Sequence, residues 1–262
     1  MSLCPQRGKL AVPNMPNTGS VEAGGGIING EAADPLRYDN HNADPAESTG
    51  LIISLIPRGA RVLDVGCGTG SVSCLVRDHC HAEVVGIEPS LERAEVAKHR
   101  GLTVYHSFFP CNEVPANGNF DVVLFADVLE HMVEPGLVLL GASAFLRPGG
   151  SIVVSIPNVA HWSVRWNLLW GRFDYRPSGI MDATHLRWFT YKSVRLLMAA
   201  AGYEINAHKM STNYELEDYR GVPWRWLGVR TRNRIIRLLV RVWPKLFGCQ
   251  HVIKASKITG AA

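Results

Sequence analysis

Apolar residues along this chain alternate between two rhythms. Runs dominated by branched and aromatic side chains, Val62-Leu63-Asp64-Val65, Val84-Val85-Gly86-Ile87 and Phe120-Asp121-Val122-Val123-Leu124-Phe125-Ala126, read as strands, the last near-continuous and typical of a strand buried on both faces. Between them the pattern predicts helices over about 45–56, with Leu51, Ile52, Leu55 and Ile56 inward and Pro57 and Gly59 as the stop, and over 71–79, 90–100 and 135–146. A short strand is expected at 103–105, and Arg147-Pro148-Gly149-Gly150 makes a tight turn into another at 151–156. Strand and helix alternating through short turns predict a parallel, doubly wound sheet, with ligands at the carboxyl ends of the strands. Residues 1–33, rich in Gly, Pro and Asn, show no apolar period and are expected to form a flexible arm or a lid that orders on a ligand.

One junction carries most of the chemical information. Strand 61–65 runs into Gly66-Cys67-Gly68-Thr69-Gly70, and the next apolar run ends in Glu88. Three alternate glycines let the backbone turn sharply and approach a ligand without Cβ interference. An acceptor at Glu88 is placed to take both hydroxyls of a ribose, so the pair describes a nucleoside pocket. The spacing is G-x-G-x-G, with Ser71 where the dinucleotide fingerprint needs its third small residue. Asp64, two residues before the turn, would repel a diphosphate but suits a ligand with a cationic group. S-adenosylmethionine, with an ammonium and a sulfonium beside its adenosine, meets that demand.

On these residues the chain resembles the class I S-adenosylmethionine-dependent methyltransferases. Asp64, Gly66, Gly68 and Gly70 match the first motif and Glu88 the ribose-binding acid. Phe120-Asp121-Val122-Val123 followed by Asp127-Val128-Leu129-Glu130-His131 matches the fourth-strand motif, and Leu146-Arg147-Pro148-Gly149-Gly150 the turn before the fifth strand. The resemblance spans about residues 36–210. It implies an α/β, Rossmann-like, mostly parallel seven-stranded sheet in a single domain over 34–262. Two insertions are expected in it, an aromatic one at about 157–190 and a basic helical one at about 220–245. It also implies a cofactor pocket of Tyr38, Asp64, Gly66, Cys67, Gly68, Gly70, Glu88, Pro89, Ser107, Phe108, Ala126, Asp127, Val128 and His131. In one departure, His106-Ser107-Phe108 stands where many relatives carry an acid near the adenine amine; Ser107 could accept from the amine and Phe108 could stack on the ring.

Methyl transfer from a sulfonium needs the acceptor atom held in line with the breaking bond, and a hydroxyl acceptor also benefits from a base. His131, His161 and His185 follow the fourth strand, the fifth strand and the aromatic insertion, with Arg187 two residues beyond His185. His185 is the leading candidate for the base, helped by Arg187. The alternatives are a cofactor-orienting role for His131 and a structural one for His161. Trp162, Trp166, Trp170, Phe173, Tyr175, Trp188 and Phe189 are expected to wall an acceptor pocket. The pattern from Pro157-Asn158 through Thr184-His185-Leu186 is similar to the MetW-like branch. That branch implies either a methyltransferase of small molecules such as sugars, glycolipids or natural products, or a non-catalytic partner of another enzyme.

Composition narrows the setting. No apolar run approaches the roughly 20 residues that cross a bilayer, and Pro5, Arg7, Gly8 and Lys9 interrupt any leader-like stretch, so a cytoplasmic protein is expected. The six cysteines show neither a C-x-x-C pair nor zinc-type spacing, and no metal site is expected from spacing alone. Cys67 reads as a small turn residue or as a reactive thiol. Net charge is +4, yet residues 220–245 hold seven arginines and Lys245 with no acid. Arg230, Arg234, Arg237 and Arg241 form one helical stripe. The helix either lies on an anionic membrane or lipid-linked acceptor, or packs on the domain through Ile235, Leu238, Leu239 and Val242. Nucleic acid is disfavoured, because the fourth-strand motif is not of the Asn-Pro-Pro-Tyr type. A dimer through either insertion stays open.

Overall fold

The computed structural model describes residues 27–28, 31–32, 39 and 42–258. Tyr38 and most of the N-terminal arm lie outside the described residues. The main sheet comprises β1 (Arg61–Val65), β2 (Glu83–Glu88), β3 (Thr103–His106), β4 (Phe120–Ala126), β5 (Leu146–Pro157), β6 (Tyr203–Met210) and β7 (Gln250–Lys257). Their spatial order is β3-β2-β1-β4-β5-β7-β6. The first five neighbours pair in parallel, and β7 runs antiparallel to both β5 and β6. A separate two-residue ladder pairs Ile27–Ile28 with Glu31–Ala32.

Burial explains the strands. Val62, Leu63, Val122, Val123, Leu124 and Phe125 have no exposed surface, being apolar residues on consecutive positions of strands covered on both faces. On one face α1 (Ser48–Ile53), α2 (Ser71–Cys80) and α3 (Leu91–His99) cover Val62, Val84 and Leu124 with Ile52, Val76, Ala94 and Ala97. On the other, α4 (Pro135–Ala142) and α6 (Tyr191–Ala200) cover Leu63, Val123 and Phe125 with Leu139, Val194 and Met198. Each such side chain contributes roughly 1.5–3 kcal/mol by leaving water. Helix starts follow local chemistry. The Ser90 hydroxyl accepts from Arg93 N at 3.4 Å, and Thr190 forms a capping box with Ser193.

Two helices are shorter than the pattern predicts. Helix α1 ends at Ile53, with Leu55 and Ile56 buried in the turn that follows. Helix α4 ends at Ala142, and Leu146 already pairs with Phe120 in the sheet. A third apolar cluster lies outside the sheet, beneath α5 (Trp162–Leu169) and α7 (Val229–Val242), and includes Val164, Met181, Tyr219, Ile236 and Val240. Helix α7 therefore packs on the domain, but with a different face from the one expected. Ile236 and Val240 are buried, Leu238 and Val242 are exposed, and Ile235 and Leu239 are half-buried. A four-residue helix, α8 (Pro244–Phe247), leads from it to β7. Among the described residues no helix is long and apolar enough to cross a membrane.

Candidate functional site

The chain moves outward from β1 to β2 and β3, then returns to the opposite side of β1 to form β4. The carboxyl ends of β1, β2 and β4 therefore meet where the strand order reverses. Asp64, Glu88 and Asp127 stand at those three ends. In the turn after β1, Gly66 and Gly70 have φ of 70° and 79°. A Cβ at Gly66 would come within 2.8 Å of Val128, and one at Gly70 would overlap Leu102, so both the conformation and the space require glycine.

Glu88 is 3% exposed, and its carboxylate fixes the turn by accepting from Gly68 N at 2.8 Å and Ser90 N at 3.0 Å. Asp64 is fully buried. One oxygen accepts from Ser73 Oγ at 2.5 Å and the other has no hydrogen-bond partner; burial pushes its pKa up to about 7. An orphaned acceptor beside a second acid is a demand for positive charge, which fits the cationic end of S-adenosylmethionine. Cys67 is 7% exposed, and burial with Asp64 and Glu88 close by raises its thiol further, so it is an inert turn residue. A Cβ at Gly86 on β2 would lie 2.5 Å from the Cys67 sulfur. Asp39 reaches over the turn, accepting from Thr69 Oγ1 at 2.6 Å and from Arg100 at 2.6 and 2.7 Å.

The remaining pocket residues line the same strand ends. Ala126 pairs with Ser155, and Asp127 follows with φ of 54°, a left-handed conformation unusual for a non-glycine residue. Asp127 Oδ1 accepts from Gln250 Nε2 at 2.7 Å, a partner the sequence did not suggest. Pro89 offers its carbonyl to His106 Nε2 at 3.0 Å, and Ser107 N donates to the Glu88 carbonyl at 3.2 Å. Phe108 is 63% exposed.

Beyond β4 the chain makes a single 3-10 turn, Leu129–His131, whose Glu130 carbonyl accepts from Leu186 N at 2.9 Å and Arg187 N at 3.0 Å. That clamp brings His185 against His131, with ring centroids 4.9 Å apart. His131 Nδ1 lies 3.1 Å from the Thr184 carbonyl and His185 Nδ1 3.2 Å from the Ile180 carbonyl. A carbonyl only accepts, so each Nδ1 carries a proton, and in the neutral ring Nε2 is the basic nitrogen. Glu130 is 1% exposed, and neither carboxylate oxygen has a hydrogen-bond partner on another described residue. Burial, reinforced by Asp127, raises its pKa well above the usual range. One ligand atom from each of Glu130, His131 and His185 lies within 4.8 Å of the other two. Folding thus assembles a set that spacing alone did not reveal. Two imidazoles and a carboxylate suit a first-row divalent cation.

Arg187 and His161 are turned elsewhere. The Arg187 guanidinium donates to the Val133 carbonyl at 2.6 and 3.2 Å. His161 has no exposed surface; it caps α5 through Ser163 and contacts Tyr219, and burial lowers its pKa to about 4. The aromatic residues do not form one wall. Trp162 packs with Tyr219 and Trp224, Phe189 joins the main core, Trp166 and Trp170 face solvent, and Phe173, Tyr175 and Trp188 touch one another. A cleft of 370 Å³ opens elsewhere, between α1, β6 and α7, lined by Leu51, Met210, Arg237 and Val240. Chemistry rather than volume marks the strand ends as the site.

The model of the methyltransferase domain family matches residues 39–208. A ubiquinone biosynthesis O-methyltransferase of Bradyrhizobium diazoefficiens is 36% identical over 104 residues, covering 38% of this chain and 41% of the relative. A second, from Xanthomonas axonopodis pv. citri, is 32% identical over 132 residues, covering 48% of this chain and 55% of its own length. The chain thus spans about half the length of these relatives. Among solved structures, an S-adenosylmethionine-dependent methyltransferase of Thermotoga maritima superposes with a TM-score of 0.56 at 19% identity, covering 80% of this chain and 88% of its own. The family model spans well over half the chain and the superposition covers 80% of it, so the protein belongs to the methyltransferase domain family, with the class I S-adenosylmethionine-dependent fold.

Proposed function

We propose that this protein transfers a methyl group from S-adenosylmethionine to an oxygen of a small-molecule acceptor. The observation that carries the reading is the adjacency of an acid-ringed glycine turn to the Glu130, His131 and His185 cluster, at the carboxyl ends of neighbouring strands. Relatives named as O-methyltransferases favour oxygen over nitrogen; their names do not single out sugars or glycolipids within the class. The two insertions, at 157–190 and 220–245, are assigned with the rest of 34–262 to one domain.

Residues 66–70 and Glu88 would hold the adenosine, Asp64 would support the turn beside the cationic end, and Asp127 would border the methionine portion. When bound, the cofactor supplies a methyl group already activated by its sulfonium. The protein's task is then to orient the acceptor hydroxyl and lower its pKa. The His185 Nε2 lone pair can take the proton as a base. Alternatively His185, His131 and Glu130 together hold a divalent cation that polarises the hydroxyl. The second arrangement accounts for a buried carboxylate without a hydrogen-bonding neighbour; a general base alone does not.

The test is calorimetric titration with S-adenosylmethionine and its demethylated product, followed by a screen of hydroxylated acceptors before and after metal stripping. Micromolar cofactor binding, with turnover lost on stripping and restored by a divalent cation, is expected. Cofactor binding with turnover that persists after stripping and is lost in His185→Ala favours the base. Intact, folded protein that binds neither cofactor nor product overturns the methyltransferase reading.

A further inference from the structure

We infer that α7 is a surface-docking helix that seats the protein on anionic lipid membranes. The inference stands apart from the methyltransferase reading, since it rests on none of the residues assigned to that site.

Helix α7 carries more apolar surface than the domain covers. At 100° per residue, Leu238, Val242, Ile235, Leu239, Trp243, Ile236 and Val240 fall in one arc of roughly 200°, interrupted only by Thr231 and Arg232. Only Ile236 and Val240, at one end of that arc, are buried. Leu238 and Val242, at the other end, are 59% and 53% exposed. Trp243 follows the last turn at 57% exposed and Trp226 precedes the first at 71%, so an exposed indole flanks the helix at each end in sequence.

Arg230, Arg234 and Arg241 run beside the exposed apolar edge, all exposed and without an ion-pair partner among the described residues. The fourth member of the stripe, Arg237, is occupied by Asp44 and Tyr214. With eight basic and no acidic residues in 220–245, the surface is complementary to negative charge alone.

A lipid surface satisfies both halves of this pattern: headgroup phosphates meet the guanidinium groups, while Leu238, Val242 and the indoles enter the acyl boundary. A nucleic acid would leave the apolar edge in water. A second copy of this chain would bring unpaired arginines against arginines.

The experiment uses the full chain with vesicles of phosphatidylcholine alone and of phosphatidylcholine containing phosphatidylglycerol, read by sedimentation and tryptophan emission. Binding to the anionic vesicles, with a blue shift and release at high salt, is expected, and none to the neutral ones. Replacing Arg230, Arg234 and Arg241 with Gln should weaken binding about 100-fold. Leu238→Ser with Val242→Ser should abolish the blue shift while the arginines remain; all five side chains are exposed, so circular dichroism reports an unchanged fold. No binding of the native chain to anionic vesicles overturns the inference. So does binding that survives the arginine changes, or binding and a blue shift that are indifferent to Leu238 and Val242.

Discussion

Gly68 and Glu88, which hydrogen-bond across the cofactor side, are 20 residues apart. Where the methionine end of the cofactor would meet the acceptor, His131 and Thr184 are separated by 53 residues, and Asp127 and Gln250 by 123. The first side is a strand, a turn and the next strand, so its functional residues are fixed by local geometry. The second depends on a 3-10 turn, a clamp from the 184–187 loop and the last strand arriving together. A local site tolerates changes elsewhere in the chain; a site assembled at long range depends on contacts that any of three segments can disturb.

The largest expected effect falls on the cofactor side. Glu88→Ala removes the acceptor for two backbone amides, at about 1–3 kcal/mol each, together with the proposed ribose contact. Cofactor affinity measured by calorimetry should fall at least about 100-fold. The same variant with affinity within a few-fold of the native protein would remove Glu88 from the pocket.

A smaller and separable effect is expected on the acceptor side. Glu130→Gln preserves shape while eliminating the anionic form of a carboxylate that is 1% exposed. Methyl transfer should drop by about tenfold or more if the carboxylate acts in the reaction. Cofactor affinity should be unaffected and the melting temperature equal or higher, because no neighbouring donor loses its partner. A fall in melting temperature would mean the carboxylate is a structural element.

The smallest effects distinguish the two regions by sign. Asp64 holds its proton up to about pH 7 in the fold and only to the ordinary carboxylate range when unfolded. Its contribution to stability is therefore lost as pH rises from about 4 toward 7. His161 resists protonation down to about pH 4 against an ordinary value of 6.5, so its contribution is lost as pH falls across that interval. Each pH unit of displacement is worth about 1.4 kcal/mol. Thermal melts of Asp64→Asn should gain on the native protein as pH rises, and those of His161→Gln as it falls. Parallel rather than opposed trends would refute the assignment.

What could be read from the sequence follows the same division. Val62, Leu63 and Val65 announce a buried strand, and the alternate glycines announce the turn, because both are matters of a few consecutive residues. Glu130 is visible in the sequence only as the neighbour of His131 in a shared motif; the lack of a donor on another described residue is a product of tertiary burial. Gln250 carried no signal, since strand β7 brings it to Asp127 from the far end of the chain. The α7 pattern gave a helix with a broad apolar arc, but which part of the arc the domain buries depends on Tyr219, Trp224 and Val164, on other segments. The aromatic insertion misled for a related reason. Composition counts rings, whereas packing sent Phe189 to the core and left Trp166 and Trp170 in solvent.

Gly86 and Cys67 occupy what amounts to one side-chain volume, shared between the second strand and the glycine turn. The two positions are therefore sterically coupled. A methyl group at 86 requires the Cys67 side chain to shrink or move, and a larger side chain at 67 requires glycine at 86. The side chain allowed in the glycine turn is thereby set from inside the sheet, by the backbone of the neighbouring strand.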